Sequence, residues 1–191
     1  MDRRELLRMI VAATGAAMVG LPVLAQGQAP AAGTKRAFSA AEVAMLDEIA
    51  ETILPRTRTP GAKDAGAGAF MATFVTDCYT AAQQATFRAG LADIDKRAGG
   101  QFVALTAPDR TELLRALDVE ARKRAVDVDE TGMTGAGKKM PHYFTMIKQL
   151  TLFGFFTSKV GANDVLKYVA VPGRYDGDVP YVPGTPAWAT G

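Results

Sequence analysis

Apolar residues recur at helical spacing through most of the chain, beginning soon after residue 38. In the first segment they stand every three or four positions, at Val43, Leu46, Ile49, Ala50 and Ile53. This period is typical of one face of an α-helix. Ser39 and Glu42 form an S-x-x-E capping box at its start, and Pro55 ends it because proline cannot continue a helix. The pattern therefore predicts a first helix from about residue 40 to residue 53.

The same spacing, interrupted by glycine and proline, predicts four further helices and a short sixth one. They cover about residues 64–79, 81–98, 106–124, 141–155 and 158 to 166 or 168. Asp64 and Ser158 are the expected caps of the second and sixth helices, and Gly99-Gly100 ends the third. No segment alternates apolar and polar residues over a sustained length, so no strand is expected. The predicted fold class is all-α: a compact helical domain of about five or six helices over residues 38–170.

The fifth predicted helix is apolar on more than one face. Its large apolar side chains are Tyr143, Phe144, Ile147, Leu150, Leu152 and Phe153. A helix that is apolar all round is normally buried. We therefore interpret it either as the central helix of the core or as a helix that faces a partner protein.

From residue 171 to residue 191 the chain forms an extended strap rich in proline and glycine, which exclude regular helix. Tyr175, Tyr181 and Trp188 are spaced along it, and such large aromatic side chains gain free energy when they are buried. Two interpretations stay open. The strap folds back over its own helices, or its aromatic side chains dock on a partner subunit.

The N-terminus reads as a targeting segment rather than as part of the fold. Residues 2–8 are charged, an apolar run follows to Leu24, and Ala25 fits a cleavage site, with Ala29 as a second candidate. The pair Arg3-Arg4 resembles the twin-arginine export consensus. We therefore assign residues 1–25 to a signal peptide and residues 26–37 to a flexible linker. An uncleaved membrane anchor remains the alternative, although the run is short for a spanning helix.

Composition excludes several classes of chemistry. The chain of 191 residues has 22 Lys and Arg against 20 Asp and Glu, a formal net charge of +2, which gives no support for nucleic-acid binding. Cys78 is the only cysteine, so no intramolecular disulfide and no cysteine-based metal site can form. We interpret it as a buried thiol. His142 is the only histidine, so a site with several histidines is excluded, and we interpret it as structural or surface-exposed rather than as a lone base.

Two other patterns resemble binding motifs but lack essential parts. Asp127, Asp129 and Glu130 lie close together, as calcium ligands do, but the remaining positions of an EF-hand loop are absent. The glycines near positions 61–68 and 132–137 do not follow a strand, as a phosphate-binding loop requires. We interpret both patterns as loops, and we expect no catalytic residue, cofactor or metal in this chain.

Three stretches of the chain resemble the gluconate 2-dehydrogenase subunit 3 family. They are Leu46–Pro55 continuing to Thr59–Ala65, Phe144 through Leu152–Ser158 to Gly161, and Leu166–Tyr168 leading to Val171–Gly177. Their order and spacing span about residues 38–180, and the twin-arginine leader agrees with them. One departure is Asp178, since many relatives have a cysteine after the Tyr-x-Gly of the tail.

The resemblance implies an accessory role. Members are small subunits of periplasmic dehydrogenases, in which a large flavoprotein of the glucose–methanol–choline oxidoreductase class holds FAD and the catalytic base. A cytochrome c subunit with haem c commonly accepts the electrons. The small subunit often carries the export signal for the large one. The resemblance therefore implies a periplasmic subunit, and it leaves open whether the complex or an uncleaved signal associates it with the membrane. It implies gluconate, another sugar acid, a free sugar or a glycoside as the substrate of the whole complex.

Candidate contacts with the large subunit follow from the same three stretches and from the strap. They are Pro60, Gly61, Phe153, Phe155, Phe156, Ser158, Pro172, Gly173, Tyr175, Tyr181 and Trp188. Gly61 and Gly173 have an alternative interpretation, because glycine also serves turns that need unusual backbone angles. Two other functions stay open: a free-standing exported binding protein or chaperone, and an independent enzyme that uses His142.

Overall fold

A computed structural model describes residues 37–125, 140–171, 173–174, 177–180 and 182–189. Within these ranges the chain forms five α-helices: α1 (Ala40–Ile53), α2 (Ala67–Cys78), α3 (Ala81–Arg97), α4 (Ala107–Ala125) and α5 (Tyr143–Phe156). A 3₁₀ turn covers Phe102–Ala104 and a π-helix covers Gly161–Val165. The all-α prediction is confirmed. The signal peptide, the linker and the acidic loop at 127–130 lie outside the described residues.

Helix α1 begins as its capping box predicts. The backbone N–H of Glu42 donates to the Ser39 hydroxyl at 3.2 Å, and the Glu42 carboxylate accepts from the Ser39 N–H at 2.8 Å. These reciprocal bonds satisfy two N–H groups that would otherwise lack a helical partner. Leu46 and Ile49 are fully buried, so the predicted apolar face is the face that packs on the core.

The start of α2 differs from the prediction. Its N-cap is Gly66, in the left-handed conformation with φ +66°, and no side chain caps the helix. The Asp64 carboxylate instead accepts from the Gly61 N–H at 2.8 Å and pairs with Arg56. The prediction that Asp64 caps α2 is therefore wrong. Its side chain closes the preceding turn, and the helix is entered two residues later, at Gly66.

Helices α3 and α4 match their expected bounds within a residue or two. Thr80 and Gln83 form a second capping box at the start of α3. At its end Gly99 and Gly100 adopt φ +69° and +79°, which most other residues avoid. The 3₁₀ turn that follows buries Phe102 completely, so the link between α3 and α4 contributes to the core.

Helix α5 lies at the centre of the domain and packs against α1, α2, α3 and α4. Two glycines allow close contact with its neighbours. A Cβ at Gly90 of α3 would collide with the Tyr143 ring, and a Cβ at Gly154 of α5 would lie 2.5 Å from the Phe70 ring of α2. The prediction of a central core helix is confirmed on this inner side.

The chain after α5 is tightly turned and then extended. The Ser158 hydroxyl accepts from the Gly161 N–H at 2.9 Å, just before a short helical segment at 159–160 that continues as the π-helix Gly161–Val165, whose own N-cap is Val160. Beyond it, Lys167 and Trp188 form an isolated parallel β-bridge. The described residues from 166 onward contain no helix. No helix in the described ranges is long and apolar enough to cross a membrane.

Candidate partner-binding surface

The outer side of α5 exposes three large apolar side chains. Leu152, Phe153 and Phe156 are 37%, 42% and 40% exposed. Leu152 and Phe153 stand four and three positions before Phe156, so all three lie on one side of the helix. We call these three side chains the α5 outer face. A contiguous exposed apolar patch of this kind is typical of a protein–protein interaction site.

Aromatic side chains of α2 extend this surface. The Phe153 ring lies 5.6 Å from the Phe70 ring and 5.9 Å from the Phe74 ring, both in edge-on geometry. Phe74 in turn packs edge-on against Tyr79 at 5.6 Å. Such edge-on pairs stabilise the ring positions beyond simple burial. The α5 outer face is therefore supported from below by fixed rings rather than by mobile aliphatic side chains.

A shallow, mainly apolar pocket opens beside Phe153. Its lining consists of Phe74, Tyr79, Gln83, Pro141, Met146, Gln149, Leu150 and Phe153. Burial raises the pKa of the Tyr79 hydroxyl further above physiological pH, where a tyrosine is already neutral. The pocket therefore presents apolar walls with a few neutral polar groups. Its chemistry suits an apolar side chain of a partner better than a charged ligand.

Two predicted contact residues of this region lie inside the fold. Phe155 is only 4% exposed and belongs to the hydrophobic core. The Ser158 hydroxyl is occupied by the backbone, because it donates to the Phe155 carbonyl at 2.7 Å besides accepting from Gly161. Their partner contacts stay untested, and their placement favours an internal role.

The Pro60-Gly61 turn is held by the chain itself. The Glu51 carboxylate accepts from the N–H groups of Arg56 at 2.8 Å and Lys63 at 2.9 Å, so it closes the turn from below. A Cβ at Gly61 would collide with that carboxylate and would lie 2.6 Å from the Arg56 nitrogen. Glycine is thus required at position 61 because a side chain has no room there, and not because the backbone needs a positive φ. A partner contact at half-buried Pro60 stays a prediction.

The strap is joined through Trp188 to Lys167, which lies just before it in the chain. The Lys167 N–H donates to the Ala187 carbonyl at 2.7 Å, and the Ala189 N–H donates to the Lys167 carbonyl at 3.0 Å. The Lys167 ammonium lies 4.1 Å from the centre of the Trp188 ring, in cation–π geometry. We call this contact the strap clasp. Trp188 remains 48% exposed.

Other predicted residues of the strap divide into two groups. Gly173 adopts φ +74°, and nothing described lies within 4 Å of where its Cβ would stand. This glycine therefore serves a turn, as its alternative interpretation predicted. Pro172, Tyr175 and Tyr181 lie outside the described residues. Whether the strap docks on a partner therefore stays a prediction.

The residues considered for chemistry are not brought together. The described residues contain no group of three His, Cys, Asp or Glu side chains that could hold a metal ion. The His142 Nδ1 accepts from the Phe144 N–H at 3.2 Å, so this nitrogen is occupied by the start of α5. Cys78 is exposed at the end of α2. The prediction of a buried thiol is therefore wrong, because Cys78 lies on the outward side of the last turn of α2.

Sequence reasoning missed Leu152 and the supporting rings of Phe70 and Phe74 as parts of the surface. One signal was available for Leu152. Positions 152, 153 and 156 form an i, i+1, i+4 set, opposite the set of Ile147, Thr151 and Gly154. The small residues Thr151 and Gly154 mark the side that approaches other helices closely.

Fold and surface together define an all-α domain that exposes apolar and aromatic side chains on the outer side of α5. The family model for gluconate 2-dehydrogenase subunit 3 matches residues 40–173, well over half of the chain. The chain belongs to this family and is by that relationship a subunit of a dehydrogenase complex. A search of curated proteins and a search of solved structures found no match.

Proposed function

We propose that this chain is the non-catalytic small subunit of an FAD-dependent sugar, sugar-acid or glycoside dehydrogenase. In this proposal the large flavoprotein subunit, of the glucose–methanol–choline class, holds FAD and performs the oxidation. A cytochrome c subunit with haem c takes the electrons. The small subunit supports the flavoprotein and carries it through the twin-arginine translocase to the periplasm.

The observation that carries the proposal is the α5 outer face. Three large apolar side chains, each more than one-third exposed, lie on the central helix of the domain. Burying them against a partner gains roughly 25 cal/mol for each Å² of apolar surface removed from water. Membership in the subunit family gives this face its expected occupant, another subunit of the complex.

Docking is tested by exchanging exposed apolar side chains for serine. In Phe153→Ser and Phe156→Ser variants we expect the affinity for the flavoprotein to fall tenfold or more, about 1.4 kcal/mol. Biolayer interferometry with the purified large subunit measures the change. Val119→Ser is the matched control, since Val119 is 51% exposed on α4. Equal losses in all three variants would remove the α5 outer face from the proposal.

Export is tested separately by changing Arg3 and Arg4 to lysine. The twin-arginine pair is read directly by its translocase, so we expect both this chain and the co-expressed flavoprotein to remain in the cytoplasm. Fractionation followed by immunoblotting measures both proteins. A flavoprotein that reaches the periplasm without its small subunit would contradict the escort role.

Purification of the native complex distinguishes the proposal from its alternatives. We expect a stoichiometric flavoprotein with one FAD in the large subunit, and no flavin absorbance in the isolated small subunit. Recovery of the chain alone, without a flavoprotein, would favour a free-standing exported binding protein or chaperone. Dehydrogenase activity in the isolated chain, lost in His142→Ala, would favour an independent enzyme.

A further inference from the structure

His142 closes the first turn of α5. Its Nδ1 lies 3.2 Å from the backbone nitrogen of Phe144. A backbone N–H can only donate a hydrogen bond, so Nδ1 must accept and carries no proton in this arrangement. Neutral imidazole thus fills at α5 the position that the Ser39 hydroxyl fills at α1.

Charged groups of two neighbouring helices act electrostatically on the imidazole. They are Asp93 and Arg97 of α3 and Glu120 and Arg124 of α4. Arg97 donates to Asp93 at 2.8 Å and to Glu120 at 2.6 Å and 3.0 Å. Both carboxylates that act on His142 are therefore already paired with Arg97 and neutralise a second cation less well.

The ring also packs against the first residue of the helix. The imidazole lies 4.3 Å from the Tyr143 ring, centre to centre. The Tyr143 hydroxyl donates to Asp93 at 2.6 Å, and the Tyr143 ring lies against Gly90 of α3. The ring against which the imidazole packs is therefore itself held in place by α3.

A proton on Nδ1 is unfavourable here for two reasons, one of hydrogen bonding and one of charge. It removes the only acceptor that His142 offers to Phe144, and it places a positive charge at a helix N-terminus, where the helix dipole is already positive. Partial burial and the positive charges of Arg124 and Arg97 lower the pKa of His142 below its usual 6.5, against the opposing effect of Glu120 and Asp93.

We propose that His142 is a pH-sensitive cap of α5. The neutral side chain holds the first turn closed, and protonation opens that turn and displaces the pocket wall formed by Pro141 and Met146. The stabilisation is complete above the unfolded pKa of about 6.5. It is lost as the pH falls from that value towards the lower pKa of the folded chain, because the unfolded chain then binds the proton more readily. This inference concerns α5 and does not depend on the identity of the partner.

The single histidine makes the test direct. In NMR spectra of the full chain, we expect the His142 imidazole to titrate below pH 6.5 and the Phe144 amide shift to follow the same midpoint. Once corrected for intrinsic rates, amide exchange at Phe144 should be about fivefold faster below that midpoint, the factor for a lost cap of about 1 kcal/mol. An imidazole that titrates at or above 6.5, or a Phe144 amide that does not respond, overturns the proposal.

His142→Asn provides the matched variant, since asparagine caps helices well and does not titrate between pH 5 and pH 8. We expect the wild-type melting temperature to fall more than that of His142→Asn between pH 7.5 and pH 5. Equal falls in the two proteins overturn the proposal. The NMR titration uses only the wild-type chain, so it decides the question even if the variant folds poorly.

Discussion

Two segments of the chain contain a Pro-Gly pair, and the structure uses them in opposite ways. The loop at 55–66 is tied to α1 by the Glu51 carboxylate and to both helices through the buried Ala62, and the Asp64 carboxylate braces it internally. The strap at 171–191 is held in its described part mainly by the clasp between Lys167 and Trp188. Segments of similar composition therefore differ in structure: the first packs against the core, and the second stays on the surface.

The difference shows why a motif alone does not identify an interface. In the loop, the glycine is needed because the Glu51 carboxylate fills the space where a Cβ would stand. In the strap, nothing described lies within 4 Å of where a Cβ of Gly173 would stand, and the glycine is needed for its positive φ. A substitution in the loop should therefore affect the stability of the whole domain, whereas one in the strap should act locally.

Gly61→Ala should give the largest effect. The new Cβ would displace Glu51 and crowd the Arg56 backbone, which we expect to cost about 2–3 kcal/mol of unfolding free energy. Urea unfolding followed by circular dichroism at 222 nm measures it. Gly173→Ala is the matched control, and it should leave the unfolding midpoint of the helical domain unchanged. Equal destabilisation by both variants would remove the distinction between the two segments.

Glu51→Ala should have the next largest effect. It removes the acceptor for two backbone N–H groups, those of Arg56 and Lys63, and we expect a loss of about 1–2 kcal/mol. The same unfolding experiment measures it, with exposed Glu112→Ala on α4 as control. A Glu51→Ala protein as stable as that control would mean that the turn holds itself without the carboxylate.

Glu48 should make the loop side of the domain sensitive to acid. Burial raises its pKa, but hydrogen bonds from Lys63 and Arg110 outweigh this and leave the pKa below its ordinary 4.5. Its contribution is complete above pH 4.5 and is lost as the pH falls through the folded pKa. We expect wild type to lose more melting temperature than Glu48→Gln between pH 5.5 and pH 3. Parallel curves would contradict this role.

The strap clasp should give the smallest effect. Lys167→Met keeps an apolar stem but removes the cation–π contact, worth about 0.5–1 kcal/mol. Because Trp188 is the only tryptophan, its fluorescence reports on the clasp alone. We expect stronger acrylamide quenching in Lys167→Met than in wild type or Lys159→Met, with unchanged helix unfolding. Unchanged quenching would mean that the backbone bridge suffices.

Helices were predictable where local chemistry decides the structure. Ser39 with Glu42 and Pro55 gave both ends of α1, and Gly99-Gly100 ended α3. Asp64 was assigned wrongly because a short acidic side chain closes a turn as readily as it caps a helix. The choice depends on Gly66, whose left-handed conformation lets the chain enter α2 two residues later.

The surface was harder to predict because α5 is apolar on both sides. Positions 153, 155 and 156 are all phenylalanine, so residue type does not distinguish them. Only Phe155 faces the core. Their orientation depends on packing around Gly154, which sequence spacing indicates only weakly. Contacts across the strap, such as that between Lys167 and Trp188, join residues 21 positions apart and leave no local pattern at all.

Gly90 of α3 and Gly154 of α5 link the packing of the core to the position of the exposed side chains of α5. Tyr143 lies against Gly90 at one end of the helix, and Phe70 lies against Gly154 near the other. Together they fix both the depth and the rotation of α5, and hence the direction in which Phe153 and Phe156 point. In evolution, the exposed side chains can therefore follow a changing partner only while both glycines are retained.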